Sequence, residues 1–142
     1  MGNNPTRNYI IEVESYNLAV VSLLKSLAYA YIELRHFTEA IECIDEGLEY
    51  NNENPDLYFR RAQALLYNKK SNNNNLELAF IDIQKAIQFK TSKNSMIYEE
   101  HMEIIQKRIE IKKKKELFKI LGIYSCKDLL IYRFNKKKYF QL

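Results

Sequence analysis

The stretch that decides the fold is VSLLKSLAYAYIELRHFTEAIECIDEG, residues 21–47. Its apolar residues recur at the i, i+3, i+4, i+7 spacing that marks one face of an α-helix. They are Leu24, Leu27, Ala28 and Tyr31. Polar residues around His36 interrupt this pattern, and it resumes from Phe37. The stretch therefore predicts two helices joined by a short turn.

The same pattern returns one unit later, when Val21 and Pro55 are aligned at an offset of 34 residues. A helix–turn–helix unit of this length is typical of the tetratricopeptide repeat (TPR). In the first unit the pattern residues are Leu24, Leu27, Ala28, Tyr31, Ala40, Ile44 and Gly47. In the second they are Tyr58, Arg61, Ala62, Leu65, Ala79, Ile83 and Ala86. The second match needs an insertion between the helices, which falls in the asparagine run at 72–75, where a loop tolerates it.

The small residues of the pattern have a packing role. Ala28 and Ala62 are expected where two helices cross closely, and Ala40 and Gly47 at the matching places on the partner helices. A two-helix unit cannot bury its apolar face alone, so neighbouring units must stack. A generic amphipathic bundle is the alternative to this repeat interpretation.

The sequence thus predicts an all-α fold, a TPR-like right-handed superhelix of antiparallel helix pairs with a long C-terminal capping helix. We expect helices at about 17–34, 37–50, 55–68, 76–90 and 95–121, with shorter ones near 7–14 and 126–134. The predicted divisions are an N-terminal segment at 1–16, a repeat domain at 17–121 with units 21–54 and 55–93 and a capping helix at 94–121, and a basic aromatic tail at 122–142.

These residues also carry a resemblance. LAYAY at 27–31 with RHFTEA at 35–40 resembles the second repeat of the large immunophilins, and LYFRRAQ at 57–63 resembles the start of their third. QKR at 106–108, running into the lysines at 112–115, resembles their long terminal helix. The resemblance implies a co-chaperone-like module that binds proteins and is not an enzyme.

In that family a groove clamps the C-terminal carboxylate of chaperones that end in Glu-Glu-Val-Asp. The matching positions here are changed, because Ser26 stands where the family has Asn and Asp56 where it has Lys. Arg60 is retained. The resemblance therefore implies a degraded clamp that binds such a chaperone tail weakly.

The resemblance also places a partner-binding groove on the first helix of each unit. Its expected partner is a protein or peptide segment. The predicted groove residues are Lys25, Ser26, Tyr29, Glu33, Phe59, Arg60, Gln63 and Tyr67. Packing of the tyrosines between helices, and pairing of Arg60 with Asp56, is the alternative interpretation.

Signatures of catalysis are missing from the sequence. We therefore expect no catalytic residues and no cofactor. We also expect no metal site, because His36 and His101 lack neighbours at metal-ligand spacing. Cys43 and Cys126 form no CxxC pair and indicate reduced thiols, so we expect a cytoplasmic protein. Acidic neighbours make Cys43 a poor nucleophile.

The alternative function is a lipid-anchored or nucleic-acid-associated adaptor that acts through its basic C-terminal tail. Gly2, with Thr6 at the sixth position, fits the myristoylation pattern, so membrane attachment would follow if Gly2 is modified. The lysines at 112–115 and 136–138 could supply a second membrane signal. A net charge of only +4 makes nucleic acid a poor partner, and the sequence does not fix the oligomeric state.

Overall fold

A computed structural model describes residues 5–68, 74–90, 95–125, 127–128 and 130. Five helices follow one another: α1 (Pro5–Glu33), α2 (Phe37–Tyr50), α3 (Pro55–Tyr67), α4 (Asn75–Gln88) and α5 (Ser95–Ile120). The all-α prediction is confirmed. Contacts divide the chain into two compact units, Met1–Ile105 and Gln106–Leu142, so α5 contributes to both.

The helices of the first unit pack mostly in sequence order. α1 pairs with α2, α3 pairs with α4, and α3 also contacts α2 and α1. The start of α5 reaches α3 through Tyr98, whose ring lies 4.9 Å from that of Phe59. These contacts place α3 against every other helix of the unit.

The first helix differs from its prediction. Separate helices were expected near 7–14 and 17–34, whereas α1 runs unbroken from Pro5 to Glu33. The residues between the two predicted segments, Ser15 and Tyr16, include neither Gly nor Pro, so nothing there ends the helix. The predicted helix near 126–134 lies largely outside the described residues.

Two helix ends show how local sequence fixes the boundaries. Asn54 caps α3, since its side-chain oxygen accepts from the backbone N–H of Asp56 at 3.0 Å and of Leu57 at 3.3 Å. Gly122 ends α5 with a positive φ of 67°. The N–H of Ile123 then reaches the carbonyl of Phe118 at 2.8 Å, which completes the predicted glycine-type termination.

The small residues of the repeat pattern lie in the core as predicted. The alanines among them are fully buried: Ala28, Ala40, Ala62, Ala79 and Ala86. Gly47 lies where three helices meet, and a Cβ added there would be 3.1 Å from Leu57 Cδ1 and 3.8 Å from Leu24 Cβ. Larger side chains at these positions would therefore separate the helices.

An ion-pair cluster joins α3 to α2 and to α4. Arg61 donates from Nε and Nη2 to the two carboxylate oxygens of Asp82 on α4, at 2.8 and 2.7 Å. Its Nη1 donates to Asp45 on α2. The Asp82 side chain is only 4% exposed, so this forked pairing is what satisfies a buried charge.

We expect Ala28→Leu to lower the free energy of unfolding by about 1–3 kcal/mol, because a filled core has no room for the added methyl groups. Ala19 is an exposed alanine of the same helix, so Ala19→Leu is the matched control and should stay within about 0.5 kcal/mol of wild type. Urea unfolding followed by circular dichroism measures both. Equal effects of the two substitutions would contradict the close-crossing role of Ala28.

We expect Arg61→Met to destabilise the protein by about 3 kcal/mol, because it leaves the Asp82 carboxylate buried without its partner. The double variant Arg61→Met/Asp82→Leu should regain most of this loss, since both charges are then gone. Asp45 is more than half exposed, so Asp45→Ala should cost about 1 kcal/mol at most. Additive losses in the double variant, measured by urea unfolding, would show that Arg61 and Asp82 are not coupled.

Candidate functional site

A cavity of about 440 Å³ lies between α1 and α3. Its lining residues are Lys25, Ser26, Tyr29, Asp56 and Arg60. The structure thus brings together four of the predicted groove residues, from two helices that are distant in sequence. Two cationic side chains and one carboxylate line the cavity, which leaves one net positive charge.

Asp56 organises one wall of this cavity. Its Oδ2 accepts from Lys25 Nζ on α1 at 3.2 Å, and its Oδ1 accepts from the Tyr98 hydroxyl on α5 at 2.8 Å. Burial opposes the charged form, but hydrogen bonds from Tyr98 and Lys25, and the charges of Lys25 and Arg60, outweigh it and lower the pKa of Asp56. The carboxylate is therefore held ionised between three helices.

Arg60 lines the cavity one helical turn after Asp56 on α3. Its guanidinium carbon lies 4.8 Å from the centre of the Tyr29 ring, and Nη1 donates to Gln63 Oε1 at 2.9 Å. The ring face attracts the cation and the amide fixes one edge of it. Arg60 is thus held beside Asp56, and its charge, together with the Lys25–Asp56 pair, contributes to the lowered pKa of that carboxyl.

The remaining predicted groove residues lie elsewhere. Phe59 is buried, with its ring against Tyr98 and against His101, whose ring centre is 4.8 Å away. Gln63 touches the cavity only through Arg60, and Glu33 is exposed near the end of α1. Tyr67 stacks on Phe37 with ring centres 6.2 Å apart.

Tyr67 instead lines a second cavity of about 740 Å³ at the turn between α1 and α2. His36 lies there, with Nδ1 3.3 Å from Glu39 Oε1. Arg35 of the same turn holds a positive φ of 61°, because it ends α1 as Gly122 ends α5. The tyrosine and the turn belong to a different surface from the Asp56 cavity.

Sequence reasoning did not find the part played by Tyr98. It assigned residues 94–121 to a capping helix, yet Tyr98 is 1% exposed and donates to Asp56. The tyrosine itself was the available signal, because a buried tyrosine hydroxyl needs a partner. Asp56 was expected to weaken the binding of a chaperone tail, but its own partners were not predicted.

Outside the cavity, the thiol of Cys43 is a further candidate for chemistry. Burial raises the pKa of the Cys43 thiol, and the charges of Glu46 and Glu42 raise it further, so the thiol is a weak nucleophile. Within the described ranges, no group of His, Cys, Asp and Glu could hold a metal ion. Among the helices described, none combines the length and apolar character that a membrane span requires.

The features predicted at the chain ends lie outside the described residues. These are the lipidation site at Gly2, the thiol of Cys126 and the lysines at 136–138. The lysines at 112–115 belong to α5 and are mostly exposed. Of the two lysine runs, the one at 112–115 is the one that lies within the described residues, on the surface of α5.

Comparison with known proteins identifies no family for the chain. No protein-family profile matches the sequence, and no significant match was found among curated proteins. What is established is therefore a small all-helical domain, with five helices among the residues described and a charged cavity between α1 and α3.

The pKa of Asp56 predicts an acid-dependent contribution to stability. Because the folded-state pKa lies below that of an unfolded chain, about 3.9, the contribution is present above this value and is lost as the pH falls through the folded pKa. Asp56→Asn should therefore lower the free energy of unfolding near pH 7. The difference in free energy of unfolding between this variant and the wild type should shrink below about pH 4.

Glu49, an exposed carboxylate of α2, supplies the control. Glu49→Gln should have the same free energy of unfolding as the wild type across this pH range. Urea unfolding at a series of pH values compares the three proteins. A difference between Asp56→Asn and wild type that stays constant down to about pH 3 would contradict the assigned role of Asp56.

Proposed function

We propose that the chain is an interaction module of the tetratricopeptide type, which binds a peptide segment of another protein in the cavity between α1 and α3. The observation that carries the proposal is the cavity itself. Residues from two consecutive predicted units, Tyr29 on the first and Arg60 on the second, meet there within 4.8 Å.

The burial pattern supports the repeat interpretation. Ala28 and Ala62, one repeat apart, are both fully buried, and so are Ile44 and Ile83 at matching places on the partner helices. α3 packs on both α1 and α2, as the first helix of one hairpin does on the hairpin before it. A right-handed superhelix of such hairpins, closed by α5, is the architecture we propose.

The chemistry of Arg60 indicates what the cavity would bind. The hydrogen bond to Gln63 engages Nη1, and a guanidinium has five N–H donors in all. The remaining donors suit a carboxylate side chain or backbone carbonyls of an extended segment. Tyr29, which is almost half exposed, adds an aromatic surface for the apolar part of that segment.

The same contacts argue against tight binding of a chaperone tail ending in Glu-Glu-Val-Asp. The Lys25 charge is already paired with Asp56, and the Ser26 hydroxyl donates to the Ser22 carbonyl at 2.9 Å. Each lost hydrogen bond to a charged ligand group is worth about 1.5–3 kcal/mol. The module is thus co-chaperone-like with a degraded clamp and a different ligand.

The test is selection of peptides from a random display library on the full-length protein, followed by calorimetry with a selected peptide. Arg60→Ala should weaken its binding at least about tenfold, because one charge-assisted hydrogen bond is lost. Arg108→Ala removes an exposed arginine of α5 and should leave binding unchanged. A Glu-Glu-Val-Asp peptide should bind more weakly than about 10 μM.

Two outcomes would overturn the proposal. One is a library that yields only peptides insensitive to Arg60→Ala and Tyr29→Ala. The other is a selected peptide whose binding disappears on deletion of residues 123–142, which would favour an adaptor acting through the basic tail. A dissociation constant below about 10 μM for a Glu-Glu-Val-Asp peptide would show that the clamp is intact.

A further inference from the structure

α1 carries a second apolar face that the core does not use. Eight apolar residues follow one another at alternating spacings of four and three residues: Tyr9, Val13, Tyr16, Val20, Leu23, Leu27, Ala30 and Leu34. We call this set the α1 seam. Leu34 directly follows the last residue of α1, and its N–H still bonds to the Ala30 carbonyl at 3.0 Å. The seam therefore extends along the whole helix.

The seam is exposed. Tyr9, Tyr16 and Leu23 are 68%, 62% and 70% exposed, although apolar side chains of this size are usually buried. The core face of α1 consists of Val21, Leu24 and Ala28, each of which follows a seam residue by one position. The core face is therefore rotated by about 100° from the seam around the helix axis. α2 covers that core face and leaves the seam open.

The next hairpin shows what this face does when it is covered. One repeat after Leu23, Leu27 and Ala30 come Leu57, Arg61 and Ala64 on α3. Leu57 and Ala64 are fully buried, and Leu57 clusters with Val21, Ala28 and Ile44 of the preceding hairpin. Arg61 bonds to Asp45 of that hairpin as well as to Asp82 of α4, so this face of α3 meets the preceding hairpin at Leu57 and Arg61. The face is therefore built to receive a helix, and in α1 that place is open.

The spacing identifies the kind of helix that fits. Apolar residues at alternating intervals of four and three residues have an average period of 3.5 residues, which is the requirement of a coiled coil. Such a seam is complementary to itself. We propose that two copies of the chain associate through their α1 seams as a parallel two-stranded coiled coil.

The charges beside the seam favour the parallel arrangement. In register, each residue that flanks the seam on one side faces the residue five positions later on the partner helix. Glu12 would face Asn17, and Ser26 would face Tyr31, so no like charges meet. An antiparallel pairing that uses the whole seam would place Glu12 opposite Glu33, two negative charges.

The buried area is sufficient for association. From the exposed fractions of its side chains, the seam offers on the order of 600 Å² per copy, so a pair exceeds the total of about 1,000 Å² expected of a specific interface. The first turns of α1 also gain a packing partner, since residues 6–16 are all exposed in the single chain. An isolated helical extension of that kind is marginal in water.

The pairing places the two Asp56 cavities beside the dimer interface. Lys25 and Tyr29 lie on α1 outside the seam, whereas Ser26 flanks it and would face Tyr31 of the partner helix. A dimer would present two cavities, which raises the avidity for a partner that carries two binding segments.

Sedimentation velocity of the full-length protein over a concentration series tests the association. We expect a species of twice the 17.0 kDa of one chain. Tyr16→Glu/Leu23→Glu should convert it to monomer, because charges replace apolar residues in the seam. The matched control is Ile11→Glu/Leu18→Glu, which changes two exposed apolar residues at the same spacing on α1 but outside the seam, and it should stay dimeric.

Disulfide trapping tests the direction of the helices. In a Cys43→Ser/Cys126→Ser background, Tyr16→Cys should give a covalent dimer on oxidation, since parallel register places the two residues side by side. Leu18→Cys should not. A wild type that stays monomeric, a seam variant that stays dimeric, or equal trapping at positions 16 and 18 would each overturn the proposal.

Discussion

The structure depends most on α3, which two charged side chains join to every other helix of its unit. Asp56, in the first turn, accepts from Lys25 of α1 and Tyr98 of α5. Arg61, further along, donates to Asp45 of α2 and Asp82 of α4. Apolar packing alone would allow the helices to slide along one another, whereas these directional contacts fix their register.

The two connections differ in energetic character. Asp82 is buried, so the Arg61 pair offsets a desolvation penalty and is destabilising to break. Lys25 and Asp56 are more than a third exposed, so solvent screens their attraction and the pair contributes little to stability. The Lys25–Asp56 pair positions one wall of the cavity. The Arg61–Asp82 pair holds together the helices on which the cavity depends.

The helices and the small core residues could be predicted from sequence, because helical periodicity and the need for close crossings are local or repeat with the unit. Ala28, Ala40 and Gly47 lie in the core where the pattern placed them. The partners of Asp56 could not be predicted, since Lys25 and Tyr98 are 31 and 42 residues away and meet it only after the hairpins have packed. Phe59 was assigned to the groove for the same reason: only the position of α5 shows that Tyr98 and His101 cover it.

Leu27 shows how one repeat position can serve two purposes. The pattern asks for a large residue there, and sequence reasoning counted it toward the core, yet Leu27 is 42% exposed. Its counterpart in the pattern, Arg61, reaches Asp45 of α2 and Asp82 of α4, so on α3 this position contacts neighbouring helices. On α1 the same position leaves a leucine largely open to solvent in the single chain. An apolar partner helix, as in the proposed α1 pairing, would cover it.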